Sequence, residues 1–170
     1  MIELVVGGAR SGKSDYALSQ AESSNSNLTF IATAEARDGE MTARIERHRQ
    51  QRSKRWNLIE ETLHLSSQVE QFASDDVILV DCLSLWLSNW LCSEQMHRWQ
   101  KERADWLEKL QQSPAHWILV SNETGMGVTP MGDLSRQFID ESGWLHQRIA
   151  QLADRVTLVM FGIPQTLKPK

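Results

Sequence analysis

Residues 2–14 read IELVVGGARSGKS, and the rest of the chain is interpreted outward from this stretch. Residues 2–6 form a short apolar run rich in β-branched side chains, stopped by Gly7 and Gly8, which predicts a buried strand entering a glycine loop. Residues 14–22 then have a helical period. Gly7-Gly8-Ala9-Arg10-Ser11-Gly12-Lys13-Ser14 satisfies G-x-x-x-x-G-K-[ST], in the strand-to-helix context that gives the motif its meaning. Glycines allow successive N–H groups to turn inward around a phosphate at a helix N-terminus, where the dipole favours negative charge. Lys13 is placed to reach the terminal phosphates and Ser14 to offer its hydroxyl to Mg²⁺.

The same pattern of short, doubly apolar runs recurs at residues 28–33, 77–80, 117–120 and 156–161. Strands apolar on both alternating faces belong to a parallel sheet covered on both sides. Between them lie helical periods over residues 41–51, 63–72, 96–110 and 134–152, the last crossing Gly143. The expectation is one α/β domain over residues 1–170, P-loop NTPase-like, with a mainly parallel sheet and helices on both faces. Pro114, Pro130, Pro164 and Pro169 are read as loop or tail residues.

Composition narrows the class. With 41% hydrophobic and 24% charged residues the chain is ordinarily globular, and at 170 residues it can bury a core without metal or disulfide staples. Cys82 and Cys92 are too few for a disulfide framework, and the first residues lack a signal-peptide layout, so a reducing, cytoplasmic setting is expected. No apolar run reaches the roughly 18 residues of a membrane span. Eighteen Lys+Arg against 22 Asp+Glu give a net charge of −4, which does not indicate a nucleic-acid partner.

A P-loop that works with Mg²⁺ needs an acid at a neighbouring strand end, and Asp81 directly follows V-I-L-V. Switch GTPases need a base-reading N-K-x-D, which this chain lacks. That leaves a small kinase, a nucleotidyltransferase or an ATPase module. Residues 37–55 carry seven of the 18 basic residues against three acids, a local charge of +4 that calls for an anion. On a helix over residues 41–51, Arg44, His48 and Arg52 recur every four residues on one face. Neighbouring cations disfavour imidazolium and keep His48 neutral, the state a nucleophile requires. A solvated basic face with a bystander histidine accounts for the same pattern. His64, His97, His116 and His146 have no metal-ligand spacing, and Cys82 reads as a small buried residue.

Taken together, the motifs resemble the bifunctional adenosylcobinamide kinase / adenosylcobinamide-phosphate guanylyltransferase family of cobalamin biosynthesis. The resemblance covers nearly the whole chain. It rests on residues 7–14, I-A-T at 31–33, E-M-x-x-R-I-x-x-H at 40–48 followed by Arg52 and Trp56, the acid at 81, and S-N-E-T-G-M-G-V-T-P at 121–130. It implies that ATP or GTP phosphorylates the aminopropanol hydroxyl of adenosylcobinamide. GMP is then transferred from GTP to that phosphate through a covalent guanylyl-histidine, which by motif position is His48. The resemblance further implies nucleotide contacts from Gly7 to Ser14, from Ala32, Thr33 and Ala34, from Arg49, Gln50, Gln51 and Arg52, and from Glu60 and Asp81. It also implies a homo-oligomer, a trimer. Ser53 and Leu58 depart from the usual proline and threonine, and Glu61 rivals Glu60 for its position. Thr124 replaces a more usual aliphatic residue. Asn122 and Glu123 lie in a loop at a strand's carboxyl end, where ligands bind in open α/β sheets, so substrate or phosphate contact is expected there. The readings still open beside this are another small-molecule P-loop kinase with no covalent step, and a nucleotide-binding module without turnover.

Seven tryptophans stand against one tyrosine. Trp86, Trp90, Trp99 and Trp106 recur at helical spacing and are expected to serve packing, Trp117 and Trp144 to be core or edge residues, and Trp56 to belong to the site.

Overall fold

The structure is a computed structural model that describes residues 1–24, 26–35, 39, 53 and 55–169. Seven strands form one sheet: β1 (Ile2–Gly7), β2 (Asn27–Ala32), β3 (Trp56–Glu60), β4 (Asp76–Asp81), β5 (His116–Asn122), β6 (Arg155–Met160) and β7 (Ile163–Lys168). Their order is β3-β2-β4-β5-β1-β6-β7. Every neighbouring pair is parallel except the β6–β7 hairpin. Four α-helices are described: α1 (Lys13–Glu22), α2 (Leu83–Leu91), α3 (Trp99–Gln112) and α4 (Asp133–Leu152). No described helix is long and apolar enough to cross a membrane.

The doubly apolar strands have their expected consequence. Leu4, Val6, Ile31, Ile78 and Val80 point into one core with the tryptophans of α2 and α3 and with Leu145 and Ile149 of α4. The intervening Val5, Phe30, Leu79 and Val120 point the other way, against Ala17 and Ala21 of α1. Alternate side chains of one strand thus feed two cores, one on each face of the sheet. Trp86, Trp90, Trp99 and Trp106 are fully buried, and Trp86 meets Trp99 and Trp106 edge-on, each with ring centroids 4.9 Å apart. Trp117 is buried as expected.

Several local expectations need correction. β3 and β7 were not foreseen, because each is an edge strand with exposed positions and too few apolar residues to produce a core-strand signal. Pro164 lies inside β7 rather than in a loop, which an edge strand tolerates because one side of its backbone needs no donor. The segment expected as helix over residues 63–72 is a 3₁₀ turn at Leu65–Gln71. The period over residues 96–110 divides into a short 3₁₀ turn, Met96–Arg98, and α3. Trp144 is more than half exposed on α4 and does not belong to the core. Trp56 opens β3 at the amino end of the sheet, away from the glycine loop, and its indole N–H donates to Glu22 Oε1 (2.8 Å) at the last residue of α1. It therefore ties that helix to the sheet edge and does not line the site.

Candidate nucleotide site at the carboxyl edge of the sheet

Gly7 ends β1, and Gly12 stands at the N-terminus of α1, which has no side-chain cap. The first N–H groups of such a helix have no intrahelical acceptor, so an anion completes them. Two glycines are required by geometry. A Cβ on Gly7 would fall 2.4 Å from the Val159 carbonyl and 2.5 Å from Ser11 Oγ. Gly12 adopts φ +91° and lies against Gly162, 3.2 Å from where its Cβ would project. The loop is tied back by Ser11 N–H to the Gly8 carbonyl (3.3 Å) and by Gly162 N–H to the Ser11 carbonyl (2.9 Å). Ala9 and Arg10 form its exposed crest, with Arg10 at φ +56°. Lys13 is buried, and its ammonium reaches back over the loop to the Gly8 carbonyl at 3.1 Å. Ser11 Oγ is buried and has no hydrogen-bond partner among the described residues. Ser14 follows in the first turn of α1, half-buried.

The parallel register brings the other expected residues to the same edge. Ala32 ends β2 opposite Asp81 of β4 on one side and Glu60 of β3 on the other. Thr33 is wholly buried and all its polar groups are engaged. Its N–H donates to the Asp81 carbonyl (3.4 Å), its hydroxyl bonds the Cys82 amide and carbonyl (2.8 Å each), and its carbonyl accepts Asn89 Nδ2 (2.8 Å). It fixes the ends of β2 and β4 and leaves Ala34 as the next residue toward solvent. Glu60 is exposed and without a hydrogen-bond partner among the described residues, whereas Glu61 Oε1 accepts the Leu63 and His64 N–H groups at 2.9 and 2.7 Å. The two glutamates are thereby distinguished: Glu61 shapes a turn and Glu60 remains available for a ligand. His48, Arg49, Gln50, Gln51 and Arg52 lie outside the described residues, together with the rest of the basic run from Arg37 to Lys54.

A chain of hydroxyls beneath the β5 end was not anticipated. Asn122 N–H donates to Ser84 Oγ (2.7 Å), Ser84 Oγ meets Ser121 Oγ (3.1 Å), and Ser121 Oγ meets His146 Nε2 (2.7 Å). Burial holds the His146 imidazole below its ordinary pKa, against the opposing pull of the Glu123 carboxylate. No spacing rule could have found this contact, because the three side chains come from α2, β5 and α4.

A glycine loop joining the first strand to the first helix, at the carboxyl edge of a sheet with helices on both faces, defines a P-loop nucleotide-binding domain. The fold agrees with that of known P-loop proteins, among them flagellar accessory protein FlaH from Methanocaldococcus jannaschii (TM-score 0.54, 14% identity, covering 98% of this chain and 77% of that one). A family model described as cobinamide kinase / cobinamide phosphate guanyltransferase matches residues 3–167. The bifunctional adenosylcobalamin biosynthesis protein CobP of Pseudomonas aeruginosa is 48% identical over 169 residues, spanning 99% of this chain and 98% of the relative. The corresponding protein CobU of Salmonella typhimurium is 38% identical over 182 residues, spanning 99% and 100%. The chain belongs to the cobinamide kinase / cobinamide phosphate guanyltransferase family, bifunctional enzymes of adenosylcobalamin biosynthesis.

Proposed function

We propose that one domain over residues 1–170 carries both reactions of the family at this sheet edge. In the kinase step ATP or GTP gives its γ-phosphoryl group to the hydroxyl of adenosylcobinamide. In the transferase step GTP gives GMP to the resulting phosphate, with release of pyrophosphate. The observation that carries this reading is the meeting of an uncapped helix N-terminus, the folded-back Lys13 and the Asp81 strand end along one edge. Phosphoryl transfer needs positioning and charge stabilisation more than covalent help, and these groups supply both.

Gly7 to Ser14 cradle the phosphates in this proposal, with Ala32, Ala34 and Glu60 lining the nucleotide beyond β2, while the expected contact at Thr33 is replaced by a buried clamp that holds this strand end in place. Ser14 and Asp81 offer a hydroxyl and a carboxylate, hard oxygen donors suited to a Mg²⁺ ion that keeps waters and phosphate oxygens as its other ligands. Such an ion supplies neutralisation of the charge on the leaving group. Asp81 orients its side of that shell, fixed from behind by the Thr33 amide on its own carbonyl.

The transferase half includes a covalent step at His48, supported by its motif position and by the arginines flanking it in sequence. The neutral imidazole attacks the α-phosphorus of GTP, the bond to the pyrophosphate oxygen breaks, and the phosphate of the corrinoid substrate later displaces the histidine. Arg49, Gln50, Gln51 and Arg52 belong to the same nucleotide pocket in this reading. A cytoplasmic setting and a homo-oligomer, a trimer by family resemblance, complete the proposal; the exposed apolar Phe161 and Ile163 on the β6–β7 hairpin are compatible with a subunit contact.

One experiment separates the readings. The protein is incubated with Mg²⁺ and GTP labelled at either the α or the γ phosphate, then denatured. Acid-labile, alkali-stable label retained from the α position alone, and absent in His48→Ala, is the expected result. Label transferred to adenosylcobinamide from the γ position with no protein-bound α label removes the covalent step and leaves a simple kinase. No transfer of either label leaves only a nucleotide-binding module.

A further inference from the structure

Transfer of a phosphoryl group to an alcohol also requires somewhere for the hydroxyl proton to go. The carboxylates described near the sheet's carboxyl edge can be sorted by what already occupies them. Asp81 serves the metal in the reading above. Glu61 is bonded to the Leu63 and His64 amides. Glu60 ends β3, four strand spacings from β1 or roughly 19 Å. Glu35 follows β2, three spacings away.

Glu123 differs. β5 lies between β1 and β4, Asn122 is in register with Gly7, and Glu123 N–H donates to the Gly7 carbonyl at 3.0 Å. Its backbone is therefore bonded directly to the first residue of the phosphate loop. The carboxylate is half-buried; Oε1 accepts Gly125 N–H at 2.5 Å, and Oε2 has no hydrogen-bond partner among the described residues. The preceding residues are held by α2 and α4 through the chain from Asn122 N–H to Ser84, Ser121 and His146. A carboxylate on so constrained a strand end, next to the phosphate loop and with one oxygen open, has the position a base needs.

We propose that Glu123 is the general base of the kinase step. It takes the proton of the substrate hydroxyl as that oxygen bonds to the γ-phosphorus, and the bond from γ-phosphorus to the bridging oxygen breaks with its electron pair leaving on the nucleoside diphosphate. The proton on Glu123 then returns to water. This assignment rests on the kinase half of the proposed function.

The test compares Glu123→Gln with Glu123→Ala in γ-phosphoryl transfer to adenosylcobinamide. Glutamine keeps an oxygen for the Gly125 N–H but cannot accept a proton, so it separates base from loop support. The base role predicts that kcat falls roughly a hundredfold or more in both variants, with KM for the nucleotide little changed. Retention of α label on the protein, which involves no alcohol, reports that each variant is folded and binds GTP. A Gln variant with near wild-type kcat beside an impaired Ala variant overturns the base and leaves a structural glutamate. A wild-type protein that moves no γ-phosphate to adenosylcobinamide overturns the kinase reading, and this assignment with it.

Discussion

The Thr33 hydroxyl donates to the Cys82 carbonyl and accepts the Cys82 amide, both at 2.8 Å, so a single buried oxygen closes the gap between the ends of β2 and β4. The residue before each partner is a proposed nucleotide or metal contact, Ala32 or Asp81. Thr33→Val keeps the shape but takes the hydroxyl acceptor away from the buried Cys82 amide, at about 1–3 kcal/mol, whereas the Cys82 carbonyl still accepts the Leu85 and Trp86 amides at 3.1 Å each. The expected result is a lower urea midpoint together with weaker GTP binding, while Thr33→Ser retains both. Equal stability of the Val and Ser variants would show that the clamp contributes nothing.

Lys13 reaches the Gly8 carbonyl from within the loop, and a phosphate arriving there would compete for the same ammonium. Lys13→Ala is expected to lower γ-phosphoryl transfer to adenosylcobinamide by roughly a hundredfold or more, the scale on which loss of one preorganised transition-state donor is felt. Comparing single-turnover rates at saturating nucleotide checks this apart from binding. A variant that retains wild-type turnover removes Lys13 from the reaction.

Gly7 and Gly12 resist substitution for different reasons. A Cβ at Gly7 would collide with the Val159 carbonyl at 2.4 Å, so Gly7→Ala must push β6 away or shift the loop. At Gly12 the obstacle is φ +91°, worth about 1–2 kcal/mol for a residue with a side chain. Both alanine variants should lose nucleotide affinity, with the greater loss of melting temperature at Gly7. Calorimetric titration with GTP and a thermal melt distinguish the two.

How much of this was legible in the sequence follows from where the information resides. The five core strands were visible because each is apolar on both faces, and the phosphate loop because the eight residues of its motif, 7–14, are consecutive in sequence. Trp117 was recognisable inside the apolar W-I-L-V run, and the tryptophans of α2 and α3 were recognisable by period. β3 and β7 were not, since edge strands bury little and so carry little pattern. Trp56 was misplaced because a motif position says nothing about which end of a strand it occupies. The Ser84–Ser121–His146 chain joins residues up to 62 positions apart, and only the sheet order brings them together.

Trp99 and Trp106 are both fully buried, yet only one has a use for its indole N–H. Trp99 Nε1 donates to Glu141 Oε2 at 2.7 Å, and Arg103 holds the same oxygen at 2.6 Å; Trp106 Nε1 has no partner among the described residues. Phenylalanine at either position loses comparable volume. Trp99→Phe additionally leaves a buried carboxylate short of a donor, and hydrogen bonds to charged groups contribute about 1.5–3 kcal/mol. Trp99→Phe should therefore be the less stable by roughly 1–3 kcal/mol in chemical denaturation. Equal losses would mean that Glu141 finds another donor.

His146 gives stability a pH dependence whose sign can be fixed. Burial, the larger influence, lowers its pKa below the ordinary value of 6.5, and the Glu123 carboxylate partly opposes this. The unfolded chain then binds this proton more readily than the folded one, so the histidine's contribution falls as pH drops below about 6.5 and levels off beneath the folded pKa. A neutral ring also suits the hydroxyl chain, since Ser84 can accept Asn122 N–H and donate to Ser121, and Ser121 can donate to Nε2. His146→Gln removes the titration. Between pH 7.5 and 5.5 the wild-type melting temperature should fall further than that of the variant, whatever the other groups contribute to both. Parallel curves for the two proteins would mean that the histidine binds protons equally in both states, and that burial does not hold it neutral.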